Sequence, residues 1–392
     1  MKKALFSAVL LIILGGAIFA MTACNHGLKT IFEGNKEEKV TDVTDEVKGI
    51  EILTSTADIS FFASEDGKSK VVAYDGKKIK YDVTVSEGVL QIKSIDERKW
   101  YERIFTFGGA SLLVYLPKGE YTELVIDEST GNVTVPSCFK FDSIDIKLST
   151  GNTILDSSAN GKVKVECSTG DVTVQGISCE ALEVKVSTGK TTITDVVCAE
   201  NIDTECSTGY TQINNVSCKN LNSVGDTGDI EIKSLTASEH TYVERSTGHV
   251  SISNAECTGN ITTKTDTGKT DISGVSCANL DLTVSTGKTI LSDTVCDNLK
   301  SEGDTGNLNM VNVIANGKYD IKRSTGDVTF DGCDANEIYV ETDTGEVEGT
   351  LLTNKIFIIN TDTGSVRVPE STTGGKCKIT TDTGNIKISI KE

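Results

Sequence analysis

Proline, tryptophan and histidine are nearly missing from this 392-residue chain, with 3, 1 and 3 copies against 36 glycines. Few prolines and aromatics beside abundant Thr, Val and Ile read as many short strands joined by tight glycine turns, and no long amphipathic helix is visible. Basic residues are also scarce. The 38 Lys and Arg stand against 57 Asp and Glu, a formal charge of −19, which excludes nucleic acid as a partner and docking of the folded part on anionic lipid. His26, His240 and His249 lack metal-ligand spacing, and the chain has no CxxC, P-loop, nucleophile elbow or glycine-rich calcium nonapeptide. No cofactor is therefore expected.

What is present begins with Met1-Lys2-Lys3 and an uncharged run from Ala4 to Cys24. As a helix rising about 1.5 Å per residue, that run spans roughly 31 Å, enough to cross a bilayer. The lysines predict a cytoplasmic N-terminus and an extracellular remainder, a single-pass cell-membrane protein held through residues 4–24. No small-x-small cleavage site follows the run, so a retained anchor is the leading expectation. Lipid attachment at Cys24, after Thr22-Ala23, is the alternative, and ordinary secretion a third.

From Ser129 onward a Ser/Asp-Thr-Gly triplet recurs every 19 or 20 residues, with its threonine at 130, 150, 169, 188, 208, 227, 247, 267, 286, 305, 325, 344, 363 and 383. Aligned on that Thr, apolar residues fall six before (Leu124, Ile144, Val163, Leu182, Ile202) and five after (Val135, Leu155, Val174, Ile193, Ile213). Apolar positions alternate within each copy, so each copy holds strands with one inward face. The triplet glycine stands between them, as a corner with positive φ or close backbone approach requires. The fold class is all-β: a single-stranded parallel β-helix, or β-solenoid, of about 19–20 residues per coil, with an N-terminal transmembrane helix. The expected organisation is anchor or signal segment 1–25, linker 26–44, irregular capping coils 45–128 and regular solenoid 129–392. Trp100 and Tyr101 are expected to help close the capped end.

The outward columns support stacking in register. Three residues before each Thr stand Asp127, Lys147, Glu166, Lys185, Glu205, Val224, Glu244, Lys264, Thr283, Glu302, Lys322 and Glu341, so the sign usually flips from one copy to the next. Unit charges about 4.8 Å apart interact by about 0.9 kcal/mol in water and about 3.5 at an effective dielectric of 20, so a ladder of one sign would be costly. The triplet's first residue alternates too, from Asp226 and Ser246 to Ser324 and Asp343, until Asp343, Asp362 and Asp382 break the rule.

Cys179, Cys198, Cys218, Cys257, Cys277 and Cys296 lie ten residues after a triplet Thr, a slot that Ala237 and Ala315 also fill. A position shared by Cys and Ala is small and buried, and rungs about 4.8 Å apart exceed the about 3.8 Å between disulfide Cβ atoms. A reduced ladder is the expectation.

Asp-Thr-Gly is also the aspartic-protease triplet, and Asp362-Thr363-Gly364-Ser365 supplies the following Ser. That chemistry needs two facing Asp around one water, not a row along one edge. Arg245 and Arg323, near Asp226, Asp266, Asp304 and Asp343, could complete a pectate-lyase-like site; salt bridging across rungs explains them more simply. Asp343, Asp362 and Asp382 are calcium candidates, set against solvated carboxylates. No catalytic residue is assigned.

The stacked triplets, Asp96-Glu97-Arg98-Lys99-Trp100-Tyr101 and Val114-Tyr115-Leu116-Pro117 together resemble the bacterial putative-adhesin β-strand-repeat family, a domain of unknown function, over residues 45–392. The resemblance implies a membrane segment and, for some members, a place beside envelope-stress regulators; it carries over no catalytic residue. The functional expectation is a non-enzymatic cell-surface adhesin or envelope scaffold, its partner a surface glycan or envelope protein. The alternatives are a polysaccharide-active β-helix enzyme and an accessory subunit of an envelope-stress system.

Overall fold

A computed structural model describes residues 37–75, 79–97 and 110–391. The membrane segment, Cys24, His26, Trp100 and Tyr101 lie outside them. Among the described residues no helix is long and apolar enough to cross a membrane. The described residues form 31 strands, β1 to β31 in chain order, all joined in one sheet.

From Gly119 to Thr344 the coils stack in parallel and in chain order. β8 (Gly119–Thr130) pairs with β10 (Phe139–Thr150) so that Thr130 meets Thr150, and β10 pairs with β13 (Lys162–Thr169) so that Thr150 meets Thr169. The long strands β19 (Thr211–Thr227) and β20 (Ile230–Thr247) keep this register through Thr227 and Thr247. Alternation does what the sequence predicts: Leu124, Ile144, Val163, Leu182 and Ile202 are buried, as are Val135, Leu155, Val174, Ile193 and Ile213.

The triplet glycine is where one coil touches the next most closely. Gly151, Gly170, Gly189 and Gly209 have φ between +139° and +148°. A Cβ on any of them would lie 1.8–2.0 Å from the carbonyl oxygen of the triplet glycine one rung earlier. Each amide is also committed: Gly131, Gly170 and Gly209 donate at 2.9 Å to the triplet threonine carbonyl of the following rung. Close approach and positive φ therefore act together.

Both ends depart from chain order. At the N-terminal end β2 (Gly49–Thr54) lies between β8 and β6 (Val89–Asp96), and β3 (Ala57–Ala63) lies between β9 (Val133–Val135) and β7 (Ala110–Leu116). Antiparallel strands finish this end: β5 (Ile79–Ser86) on β6, β4 (Ser69–Asp75) on β7 and β1 (Glu37–Val43) on β4. At the other end β30 (Gly375–Thr383) is inserted between β26 (Val328–Thr344) and β28 (Lys355–Thr363). β31 (Ile386–Ile390) likewise separates β27 (Val347–Leu351) from β29 (Val366–Arg367). The terminal aspartates thus stack in the order Asp343, Asp382, Asp362, not in the order of the chain.

The glycine contact yields a direct test. Gly209→Ala should abolish the cooperative urea transition or cost more than about 3 kcal/mol, because the new Cβ meets backbone. Gly176, at φ +64° with nothing within 4 Å of its Cβ position, should accept Asn at a cost of about 1 kcal/mol or less. Equal losses in the two variants would refute the close-approach account.

Candidate functional site

The exposed face is built from ladders, each column repeating one position of the coil from rung to rung. The threonines of the triplets and the aspartates at 226, 266 and 304 are solvent-exposed at the corner. Where the residue after the triplet glycine is Asn or Asp it ties neighbouring rungs: Asn152 N–H donates to Asn132 Oδ1 at 2.9 Å, Asp171 N–H to Asn152 Oδ1 at 2.8 Å and Lys190 N–H to Asp171 Oδ1 at 2.8 Å. The charge-alternating column pairs as expected, Lys147 with Glu166 and Glu166 with Lys185. Its ion pairs run both across rungs, Lys185 to Glu205 at 3.8 Å, and along one strand, Lys164 to Glu166 at 2.8 Å and Lys185 to Glu183 at 3.1 Å. These exposed pairs contribute little stability each and mainly remove like-charge repulsion. A shallow groove of about 210 Å³ runs beside this column, lined by Lys147, Glu166, Ser168, Lys185, Ser187 and Glu205.

Two further corners escape a reading based on the triplet. Seven residues after the Thr, Asp195, Asn215, Ser234, Asn254, Asp293 and Asn312 hold φ of +48° to +55°, and Gly176, Gly274 and Gly332 hold +61° to +64°. Asn, Asp and Gly tolerate this left-handed conformation best, and that column was the available signal. Further along each coil an amide ladder runs Asn201, Asn220, His240, Asn260, Asn279, Asn298. Asn220 Nδ2 donates to Asn201 Oδ1 at 2.9 Å and Asn279 Nδ2 to Asn260 Oδ1 at 2.8 Å, while His240 Nδ1 accepts from Asn260 N–H at 3.2 Å. His249 sits elsewhere, its Nε2 2.9 Å from Asp271 Oδ2.

Arg245 and Arg323 correct the sequence reading. Neither bridges the rung aspartates: both are inside the solenoid, 2% and 4% exposed. Arg245 donates from Nη1 to the carbonyls of Ser223 and Glu244 and from Nη2 to Ser223 Oγ; Arg323 does the same with Ser301 and Lys322. Burial lowers both guanidinium pKa values to about 10. The rung beneath each carries a glycine, Gly225 or Gly303, whose Cβ would come within 3.1 or 3.2 Å of the guanidinium carbon. The signal was present as a Gly–Arg couplet repeated in one column.

The cysteines of the ten-residue slot are buried, with Cys179 opposite Cys198 and Cys277 opposite Cys296. Burial raises the Cys218 and Cys296 thiols to about 12, so they behave as small apolar groups, not nucleophiles. Asp343, Asp382 and Asp362 are exposed on successive rungs. Among the described residues no group of three or more His, Cys, Asp or Glu is arranged to hold a metal ion.

One carboxyl is unlike the others. Glu128, in the inward column two residues before the first triplet Thr, is fully buried. Its Oε1 accepts the amides of Ala57 at 3.1 Å and Thr130 at 3.0 Å, and the Thr54 hydroxyl donates to Oε2. It therefore pins the β2–β3 coil to β8. Burial outweighs those hydrogen bonds and pushes its pKa up to about 7. A raised carboxyl pKa adds stability that is complete below the unfolded value near 4.5 and is lost as pH rises through about 7. Glu128→Gln, which mimics the protonated form, should remove this loss and raise stability at pH 8 by on the order of 1–3 kcal/mol, with little change at pH 5. Parallel pH profiles for the two proteins would contradict the assignment.

The geometry defines a parallel β-solenoid with ladder-built exterior columns and out-of-order end coils. The chain belongs to the Toastrack DUF4097 family, whose model matches residues 47–222, 212–330 and 288–392. No curated protein matches it. Among solved structures it is similar to a putative cell adhesion protein from Clostridium sporogenes, at 8% identity and TM-score 0.16, over 91% of this chain and 100% of that one. It is also similar to a putative adhesin from Bacteroides fragilis, at 11% identity and TM-score 0.24, over 90% and 97%. A third is a putative lipid binding protein from Parabacteroides distasonis, at 12% identity and TM-score 0.19, over 81% and 98%.

Proposed function

We propose that this protein is a non-enzymatic adhesin or envelope scaffold, held at the cell membrane through residues 4–24 with its solenoid outside. The observation that carries the proposal is the equivalence of the rungs: the same exposed threonine corner, with Ser or Asp before it, recurs on coil after coil. An extended polymer lying along the axis would meet a fresh copy of each contact about every 4.8 Å, and many weak contacts sum to useful avidity. Surface glycans suit such a ladder because hydroxyls, amides and carboxylates all bond sugar hydroxyls. Catalysis by contrast needs one convergent site. The two arginines that suggested one are buried and bonded to Ser223 and Ser301.

The purified chain should retain extended glycans on an array and leave them intact in a depolymerisation assay. Binding should weaken progressively as exposed triplet threonines are replaced in successive rungs. Turnover abolished by a single substitution would replace this reading with a polysaccharide-active enzyme. For the anchor, Cys24→Ser should leave the protein in the membrane fraction; its release there would establish lipid attachment instead.

A further inference from the structure

The two ends of the solenoid are finished differently. The N-terminal end is covered by antiparallel strands, whereas at the other end β28 forms hydrogen bonds to β30 along one edge and, among the described residues, to no strand along the other. An unpaired, unbulged strand edge is a template for another chain unless charge or proline protects it. In its first half β28 carries no proline and no outward-facing charge. It reads Lys355-Ile356-Phe357-Ile358-Ile359-Asn360-Thr361-Asp362-Thr363, and Lys355 is turned inward, 3% exposed and 2.5 Å from Asp334 Oδ1. Ile356 and Ile358 are 44% and 48% exposed, in columns that hold Lys376 and Lys378 on the neighbouring rung. Apolar side chains thus replace charged ones on the outermost rung. Inward, Phe357 and Ile359 are only partly covered.

We infer that two copies of this chain join tail to tail through this edge, each adding the other's β28 as an antiparallel strand. The strand's own pattern selects the register. When two copies of β28 are centred on Ile358, Phe357 of each faces Ile359 of the other on the core side, and Ile358 meets its counterpart on the outer side. Shifting the centre to Phe357 would set Lys355 against Ile359, and shifting it to Ile359 would set Phe357 against Thr361. Charge selects the same orientation. Along β28 and β30, Lys376 lies beside the start of β28 and Lys378 beside its centre, while Asp362 and Asp382 lie near its end. Antiparallel joining brings the basic end of each copy toward the acidic end of the other within about a Debye length, while parallel joining stacks Asp362 on Asp362. Tail-to-tail contact also holds the two acidic bodies apart. The resulting interface is isologous and closes at two copies.

Sedimentation of the purified full chain should show a discrete, concentration-dependent dimer. Ile358→Asp should weaken that dimer at least tenfold with an unchanged circular dichroism spectrum, since the side chain is half exposed in one copy. Directly opposed residues in an antiparallel pair have Cβ atoms about 4.5–5.5 Å apart. Ile358→Cys should therefore be joined into a covalent dimer in high yield by a short thiol-specific crosslinker that spans this separation, and Ile356→Cys, which faces Asn360, roughly tenfold less. A chain that stays monomeric, that grows into open-ended polymers, or that crosslinks equally from both positions would overturn the proposal. So would a dimer indifferent to Ile358→Asp.

Discussion

The contact between successive triplet glycines governs this molecule. With a carbonyl oxygen 1.7–2.3 Å from where a Cβ would stand, no other residue fits the slot, and slipping the register by one residue would drive Thr or the following side chain into backbone. The glycine column therefore fixes every rung against its neighbour. Parallel, in-register stacking then makes each side chain meet its own counterpart one rung away. The alternation of Lys and Glu outside is a consequence of that geometry, because a uniform column would repel itself along its whole length.

Inside, the same rule acts on volume. A side chain too large for its own layer must borrow space from the adjacent rung in the same column. Arg245 does so over Gly225 and Arg323 over Gly303, and each guanidinium meets hydroxyl and carbonyl oxygens of the lower rung instead of a carboxylate. At the C-terminal end Lys355 stands opposite Gly375 and reaches past the inserted rung to Asp334. A buried charge is tolerable only when its donors are matched. The column is accordingly the unit on which a substitution is felt, and a large residue and a glycine one rung apart behave as a single feature.

Much of this was legible in the sequence because the pattern is periodic and local. The triplets, the buried positions six before and five after the Thr, and the alternation at Lys147, Glu166 and Lys185 were all readable from spacing. The arginines were not, because a charged residue beside an exposed triplet gives no sign of pointing inward; only Gly225 and Gly303 in the same column reveal it. The left-handed column from Gly176 to Gly332 was present as a run of Gly, Asp, Asn and Ser but carries no apolar signal. Rung order at the ends was hidden for a different reason. Thr344, Thr363 and Thr383 are spaced like any other three, and spacing along the chain says nothing about which coil lies between which.

That order bears on what an end of a solenoid is. Had the coils simply continued, the open edge would belong to the last segment of the described chain, where fraying blunts it. Insertion of β30 and β31 moves the final coil inward, bonded on both edges, and leaves β28 outermost with chain entering and leaving it on either side. Lys355 fastens β28 to Asp334 from within. The edge held in this way displays Ile356 and Ile358. The insertion thus secures the core at this end, and the same step creates a persistent surface fit to receive another strand.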